Sequence, residues 1–301
     1  MLLKLAAAAI IAAACALVCW PPRPARNDLR ITFLDVGQGD AIVIQTPRGH
    51  ALMIDTGGTL ERNTAADGAS LAEAVGERIV VPFLIRQGIH HVDTILLTHP
   101  HGDHVGGCAP ILRALGADVL VDAGQVYGGR AYHDCLDEAH RRHVRILTAH
   151  VGSVLRTDDG VRLHILAPKR PFFHDTGDDI NENSIVVMLE YAAFRGLFMG
   201  DAGEHTEARL LADRVDLHAV LLKIGHHGSR FASTDAFVDA VHPHDAVISV
   251  GRHNHFGHPA PRVLATLTAA GARIWRTDRC GAVTFSASAQ VLDIDAVYCH
   301  P

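Results

Sequence analysis

A chain of 301 residues is long enough for one or two domains, and a hydrophobic fraction of 48% can fill a large core. A formal net charge of −6 and an isoelectric point near 6.4 exclude a general nucleic-acid coat, which would be basic. Any nucleic-acid contact must be local, or assisted by metal ions and partners. The six cysteines, Cys15, Cys19, Cys108, Cys135, Cys280 and Cys299, form no C-x-x-C knuckle. In an exported chain the last four have room for up to two disulfides.

Met1–Trp20 carries one charge, Lys4, and then an apolar, Ala-rich run. It reads as an export signal or a membrane anchor. Leu5–Trp20 is shorter than the roughly 20 residues of a spanning helix, and Ala14-Cys15-Ala16 offers an A-x-A cleavage site. Residues 21–28 contain Pro21-Pro22-Arg23-Pro24, which cannot continue a helix and forms a stiff linker. The folded domain then occupies residues 29–301.

Strands are expected over Leu29–Leu34, Ala41–Gln45 and Ala51–Ile54, with a Gly-rich turn over Val36–Asp40. Ala69, Ala72, Val75 and Ile79 recur at helical spacing within a helix over Ala65–Gly88, bent at Pro82. A strand over Val92–Leu97 is followed by a helix over Cys108–Leu115, a strand over Val119–Val121 and a helix over Cys135–His143. Strands follow over Val144–Thr148, Val161–Leu166, Ser184–Glu190 and Gly196–Met199, the last two separated by Phe194-Arg195-Gly196. Beyond them come a helix over Thr206–Ala212, a strand over Ala219–Lys223, a helix over Asp235–Val241 and a strand over Ala246–Val250. A helix over Pro261–Ala270 and a strand over Arg273–Arg276 lead to a hairpin of Ala282–Ser286 with Val291–Val297. This alternation is an α/β sandwich.

Thr98-His99-Pro100-His101-Gly102-Asp103-His104 directly follows an apolar, β-branched run. A strand end running into a Gly-rich turn aims His99, His101, Asp103 and His104 into one cleft. Imidazole and carboxylate together suit zinc, manganese or iron. Asp103 and His104 are adjacent and so point differently from His99 and His101, which suggests two metals. No G-x-S-x-G motif or compelling Ser/His/Asp arrangement competes with that reading.

T-H-P-H-G-D-H-V-G-G resembles the metallo-β-lactamase superfamily. The match is narrowed by Leu34-Asp35-Val36-Gly37-Gln38-Gly39-Asp40, Ile54-Asp55-Thr56-Gly57, Gly200-Asp201-Ala202, Lys223-Ile224-Gly225-His226-His227-Gly228-Ser229 and Asn254-His255-Phe256-Gly257-His258-Pro259. Together these resemble the metallo-β-lactamase-like domain of ComEC-type competence proteins, over about Leu29 to Phe285. The resemblance implies the four-layer αββα fold with a cleft at one edge of two sheets.

The resemblance also implies roles. His99 and His101 bind one of two divalent ions, zinc or manganese. Asp103 and His104 bind the second, Asp201 bridges the two, and His227 completes the second. The assignment between His226 and His227 favours His227. Asp103 and His226 are then the catalytic pair, His226 lying just outside the ligands to donate a proton or touch a phosphate. Asp35, Asp40, Asp55 and Asn183 stand behind the ligands, Asp55 orienting a ligand His. For Asp35 turn capping is an equal reading. The His that completes the first metal in the wider superfamily has no matching motif here. His164 lies on the strand over Val161–Leu166 and His174 in a loop near the usual spacing, while Asn183 in Asn181-Glu182-Asn183-Ser184 is the ComEC-like alternative.

Lys223, Ser229, Arg230, Asn254 and His258 are phosphate-binding residue types clustered in these motifs, and Phe256 is placed either to stack on a base or to anchor its loop. Two divalent cations favour hydrolysis by an activated water, with no protein nucleophile. The resulting expectation is a phosphodiesterase or nuclease acting on DNA, one strand of it, during competence-related uptake. It would be periplasmic or otherwise outside the cytoplasm, beside a membrane channel partner and held to the membrane if the N-terminal segment is uncleaved. The alternatives are hydrolysis of a phosphocholine-type diester, a lactone or a β-lactam, or a non-catalytic domain binding DNA or a channel.

The chain's end adds one covalent expectation. If Ala289-Gln290 forms the turn of the last hairpin, Ser288 faces Val291 and Cys280 faces Cys299. Facing residues of an antiparallel pair lie roughly 4.5–5.5 Å apart, within disulfide range.

Overall fold

The computed structural model describes residues 28–60, 71–288 and 292–296. The expected signal or anchor over 1–20 and nearly all of the linker fall outside the described residues. Among those described, no helix is long and apolar enough to cross a membrane.

In the first sheet, β1 (Leu29–Phe33), β2 (Ala41–Gln45) and β3 (Ala51–Thr56) pair antiparallel. From β3 onward the sheet grows in parallel through β4 (Val92–Leu96), β5 (Ala117–Asp122) and β6 (Arg145–Thr148). The second sheet repeats that plan. β7 (Val154–Arg156), β8 (Arg162–Ala167), β9 (Val186–Tyr191) and β10 (Phe194–Phe198) are antiparallel, and β11 (Leu221–Lys223), β12 (Asp245–Ile248) and β13 (Arg273–Arg276) follow in parallel. β14 (Val283–Ala287) and β15 (Leu292–Ala296) return to the first sheet beside β1. The strand orders are β15-β14-β1-β2-β3-β4-β5-β6 and β13-β12-β11-β10-β9-β8-β7.

Period-two side-chain alternation sorts the strands' apolar residues into layers. Leu29, Ile31, Phe33, Ile42, Ile44, Leu52 and Ile54 face Leu163, Ile165, Val187, Leu189 and Phe198 in a core between the sheets. Val43, Met53 and Ile95 point the other way, onto Val80, Leu84, Ile111, Leu112 and Cys135 of the outer helices. On the far side Met188, Leu197, Leu222 and Ala246 pack against Leu210, Phe237, Val238, Val263 and Leu267. Three apolar interfaces make four layers, the expected αββα sandwich.

Several elements depart from expectation. The helix expected over Ala65–Gly88 is described from Leu71, as Leu71–Val75, a π-helical turn Gly76–Val80 and a helix Val81–Arg86 with Pro82 in its first turn. The helix expected from Cys135 begins a turn and a half earlier and runs Arg130–Arg141. Phe194 is not in a break but starts β10, because its ring belongs to the inter-sheet core; Ala192, at φ +50°, makes the turn instead.

A disulfide, Cys108–Cys135, joins the helix Cys108–Leu115 to Arg130–Arg141 behind the first sheet, with 5.4 Å between the Cα atoms. In the last hairpin Ala287 faces Leu292 and Val283 faces Ala296, the register expected with Ala289-Gln290 at the turn. Cys280 is disulfide-bonded; its expected pairing with Cys299 lies outside the described residues.

Candidate metal centre

The parallel halves of both sheets deliver their C-terminal ends to one edge, where open α/β sheets place their sites. β4 runs into Thr98–His104, β10 into Asp201, β11 into His226 and His227, and β12 into Ser249. Close backbone approach closes this edge. Gly39, at φ +139°, lies so near the Asp103 carbonyl that a Cβ there would sit 2.3 Å from the oxygen. A Cβ on Gly58 would meet the Gly102 oxygen at 1.9 Å. Only glycine fits either position, so the two Gly-rich loops are packed directly on the His-rich turn.

Asp201 Oδ2 is the hub. His104 Nε2 lies 3.3 Å from it, His227 Nε2 3.4 Å, His99 Nε2 3.9 Å and His226 Nε2 4.0 Å. His227 Nε2 is also 3.5 Å from Asp103 Oδ2 and 3.4 Å from His104 Nε2. On the other side His99 Nε2 and His101 Nδ1 are 3.1 Å apart. The structure therefore brings His99, His101, Asp103, His104, Asp201 and His227 to one place, with Asp201 between the His99–His101 pair and the His104–His227 pair.

The ring orientations are set from behind. Asp55 is fully buried at φ +56°. It accepts hydrogen bonds from the Thr98 N–H and hydroxyl at 2.7 Å each, and its Oδ2 is 2.8 Å from His104 Nδ1. His227 Nδ1 donates to the Ser249 carbonyl at 2.9 Å. Each bond places Nδ1–H at the back and frees Nε2 toward the hub. His226 and His227 hold left-handed φ values of +45° and +53°, strained backbone of the kind found at functional sites.

Asp40, His104, Asp201 and His227 each offer an atom within 4.8 Å of the others, a candidate metal-binding cluster. Asp40, however, approaches the backs of the rings, 3.8 Å from both His104 Nδ1 and His227 Nδ1. Its Oδ2 is in contact with the Lys223 ammonium, so Asp40 stands behind the cluster, as a charge partner of Lys223.

The electrostatics fit a cation. Asp103 Oδ1 and Asp201 Oδ1 are buried and accept no hydrogen bond, leaving lone pairs that a buried carboxylate does not normally waste. Burial resists the proton on His104, yet Asp201, Asp55 and Asp103 around it raise its pKa well above the usual imidazole range. Burial pushes the Asp201 carboxyl up, but His104, His227 and His226 hold it well below its ordinary value. His99, buried and beside His104, is held well below the imidazole range. Imidazole nitrogens and carboxylates with unused oxygens, facing one another within 4 Å, are the donor set that a divalent cation satisfies, taking the place of the proton that the carboxylates otherwise hold on His104.

A cleft of about 220 Å³ opens onto this cluster. His101, Asp103, Asp201, His226 and His227 face it, and so do Asp178, Asn181 and His258. Burial, then His226 and His227 beside it, push the His258 pKa down to about 4. Sequence reasoning finds neither Asp178 nor Asn181, although the stretch Asn181–Ser184 stands out in it; it assigns Asn183 instead. Asn183 is a brace: it binds Phe173 N, Phe173 O and Asp179 O. Asn181 Nδ2 instead reaches His226 Nε2 at 3.2 Å and Asp178 Oδ2 at 2.9 Å. His164, paired with Glu190 at 3.0 Å, is not in the cluster, and His174 is exposed.

Of the residues expected to bind substrate, His258 is in the cleft. Lys223 is fully buried beneath the cluster, donating to the Gly200 carbonyl at 2.9 Å, and cannot touch a substrate. Ser229 is also buried and its hydroxyl accepts the Phe231 N–H. Asn254 braces its own loop, accepting from Phe256 N and His258 N and donating to the Gly251 and His258 carbonyls. Arg230 lies in a neighbouring groove. Asp35 is exposed and accepts Gly37 N–H at 3.3 Å, a turn cap.

Residues 34–252 match the family model described as the metallo-beta-lactamase superfamily, nearly three-quarters of the chain. The chain belongs to the metallo-β-lactamase superfamily. Relatives include "ComE operon protein 3" of Bacillus subtilis, 30% identical over 85% of this chain and 32% of that protein. "Competence protein ComA" of Neisseria gonorrhoeae is 27% identical over 88% of this chain and 33% of its own length. "Recombination protein 2" of Haemophilus influenzae is 29% identical over 79% and 26%. The resemblance to ComEC-type competence proteins is thus borne out, and the chain spans a third or less of those relatives. Among solved structures, the metallo-β-lactamase fold protein YhfI of Bacillus subtilis superposes with a TM-score of 0.51 at 11% identity, covering 89% of this chain and 100% of that one. The metallo hydrolase Igni18 of Ignicoccus hospitalis gives 0.51 at 16% identity, covering 85% and 98%. These two show the fold.

Proposed function

We propose that this superfamily member is a metal-dependent phosphodiester hydrolase that cleaves a DNA strand outside the cytoplasm. The observation that carries the reading is the gathering of five ligand-type side chains around Asp201 at the floor of a cleft, in a chain whose relatives are named for competence and recombination.

His99 and His101 on one side, Asp103, His104 and His227 on the other, and Asp201 between them are the residues that would hold two divalent ions, zinc or manganese. Such a pair, when bound, supplies a water of lowered pKa and polarises the reacting phosphoryl group. The chain's own residues do the rest. Asp55 and the Ser249 carbonyl fix the His104 and His227 rings, so no ligand needs to reorient during reaction. His226, partly exposed on the cleft wall, has Nδ1 3.5 Å from Asp178 Oδ2. That carboxylate turns the imidazole so that Nε2, 3.2 Å from Asn181 Nδ2, faces the reacting group. Because the Asn181 amide N–H donates to it, Nε2 is the accepting nitrogen, placed to take a proton from the water that attacks the diester. His258, pushed toward its neutral form, presents a ring that hydrogen-bonds a phosphate oxygen without adding charge.

The domain of residues 29–301, preceded by a segment that exports or anchors it, fits an extracytoplasmic location. The Cys108–Cys135 disulfide supports this, because such bonds persist in oxidising compartments. A membrane channel is the corresponding partner.

The test is a side-by-side panel with added Mn²⁺ or Zn²⁺: bis-p-nitrophenyl phosphate, labelled single-stranded DNA and nitrocefin. Metal-dependent release from the first two supports the reading. Turnover of nitrocefin alone would overturn it in favour of amide hydrolysis.

A further inference from the structure

A second concavity adjoins the metal cleft. It is a groove of about 810 Å³ lined by Arg230, Phe231, Phe256, His258 and Arg262, and it shares Phe256 and His258 with the cleft. The cleft's 220 Å³ is below the roughly 300–1,000 Å³ of a site that encloses a ligand. It has room for the reacting group and little else, so the rest of any substrate must lie elsewhere. The groove adjoins it, sharing Phe256 and His258.

Two aromatic side chains stand out on the surface. Phe231 is 60% exposed and Phe256 51%, and among the described residues no other Phe, Tyr or Trp is counted with the exposed large apolar side chains. Both line this one groove. A ring that merely anchored its loop would be buried, so the anchoring reading of Phe256 fails on its exposure. Neither ring is on a slack segment. The Asn254 amide ties Phe256 and His258 into a closed loop through four hydrogen bonds. The Arg262 guanidinium donates to the carbonyls of Arg230, Ala232 and Ser233, fixing the backbone on either side of Phe231. The exposed rings are thus held in place, at little entropic cost to whatever covers them.

The rings also form a path. The His226 and His258 ring centroids are 5.6 Å apart, and Phe256 stacks on His258 at 5.6 Å with 27° between planes. Aromatic faces therefore lead from His226 at the cleft into the groove. Charge helps at one point: Arg230 makes no ion pair among the described residues, and its guanidinium is 5.9 Å from the Phe231 ring. The groove's other charged side chains are Arg262, spent on carbonyls, Asp235, which accepts the Thr266 hydroxyl at 2.7 Å, and the exposed Glu204. With the charge nearly balanced, the π faces must dominate recognition.

We infer that this groove is the subsite for unpaired nucleobases of a nucleic-acid strand whose phosphodiester lies in the metal cleft, with Phe256 and Phe231 as stacking platforms and Arg230 on the backbone phosphate. The inference rests on the phosphodiesterase reading of the cleft. Stacking requires an open base face, so the substrate is single-stranded at the point of cleavage.

The test compares a fluorescent DNA 12-mer with a 12-mer of the same backbone carrying abasic sites, by anisotropy and by cleavage, on the full chain with Mn²⁺. The wild type should prefer the base-bearing strand. Phe256→Ala and Phe231→Ala should each shrink that preference by about tenfold, chiefly through Kd and KM, and Phe256→Trp should restore it. Equal affinity of the wild type for both strands overturns the inference, as does a preference that survives both alanine substitutions. Hydrolysis of bis-p-nitrophenyl phosphate separates the two readings. A wild type that hydrolyses it without base preference loses only the groove. One that binds bases through both rings yet hydrolyses no diester loses the phosphodiesterase reading and keeps the subsite.

Discussion

Asp55 Oδ2 lies 2.8 Å from His104 Nδ1, while the same carboxylate takes both the N–H and the hydroxyl of Thr98 at 2.7 Å. One buried group therefore fixes the strand end that starts the His-rich turn and the ring that ends it. Asp55→Asn keeps the shape but offers an amide N–H where an acceptor is needed. Its metal affinity should fall 10–100-fold in a chelator competition titration. Asp55→Ala also leaves the buried Thr98 N–H unpaired and should lose about 1–3 kcal/mol of stability besides. Wild-type metal affinity in Asp55→Asn would show that the contact does not orient the ring.

Asp103 Oδ2 and His104 Nε2 lie 3.9 Å apart, and each is within 4 Å of His227 Nε2. Asp103→Ala and His104→Ala should each lose hydrolysis and about one metal ion per chain by elemental analysis. Full activity with unchanged metal content in either variant would sink the dinuclear assignment.

Lys223 and Asp40 form a buried ion pair beneath the site. Burial alone would lower the lysine's pKa, but Asp40 and Asp201 raise it. Lys223→Met strands Asp40 as an uncompensated buried charge and should cost about 3–5 kcal/mol. Adding Asp40→Asn to it removes that charge and should recover much of the loss. Urea unfolding of the two single variants and the double variant gives the coupling; strict additivity would mean that the pair carries no interaction.

The sequence was most legible where one physical signal acted alone. Ala41–Gln45, Cys108–Leu115, Asp235–Val241 and Arg273–Arg276 have the expected bounds, since apolar periodicity and their flanking turns agree. β7, Val154–Arg156, was missed because it is a short, half-exposed edge with no apolar run. The continuous helix across Gly76 was expected from periodicity, which cannot show that Gly76 packs on Gly107, where a Cβ would sit 2.6 Å from the Gly107 Cα. At the site, residue type announced the ligands but not orientation. Asn181 and Asn183 are two residues apart on one helical turn and so face different ways. Lys223 carries the charge of a phosphate binder, yet it lies on a central strand buried on both faces.

Glu207 is fully buried and receives the N–H groups of Ser233 and Thr234 and the Thr234 hydroxyl. Burial outweighs those donors and raises its pKa to about 7. A carboxyl with a folded pKa above its unfolded value favours the folded state when protonated. Its contribution is complete below the unfolded pKa near 4.5 and is lost as pH rises through about 7. Wild type should therefore lose stability between pH 5 and pH 8 relative to Glu207→Gln, by up to about 3 kcal/mol. Parallel urea midpoints across that range would refute this.

Cys108 begins the helix that packs behind the His-rich turn, and Cys135 lies on the neighbouring helix, 27 residues on. Closing a loop of that size removes unfolded-state entropy worth roughly 3–4 kcal/mol. Cys108→Ser/Cys135→Ser should therefore unfold at lower urea by about 2–4 kcal/mol, and non-reducing peptide mapping of exported protein should recover the linked pair. The same map bears on the C-terminus. Cys280 is disulfide-bonded and ends the helical turn Thr277–Cys280 just before β14, and Cys299 is the partner proposed from the sequence. A Cys280–Cys299 peptide would show that the last hairpin is fastened beside β1. Cys280 linked elsewhere, or free thiols at 108 and 135 in exported protein, would refute the pairing and remove the disulfide's support for a location outside the cytoplasm.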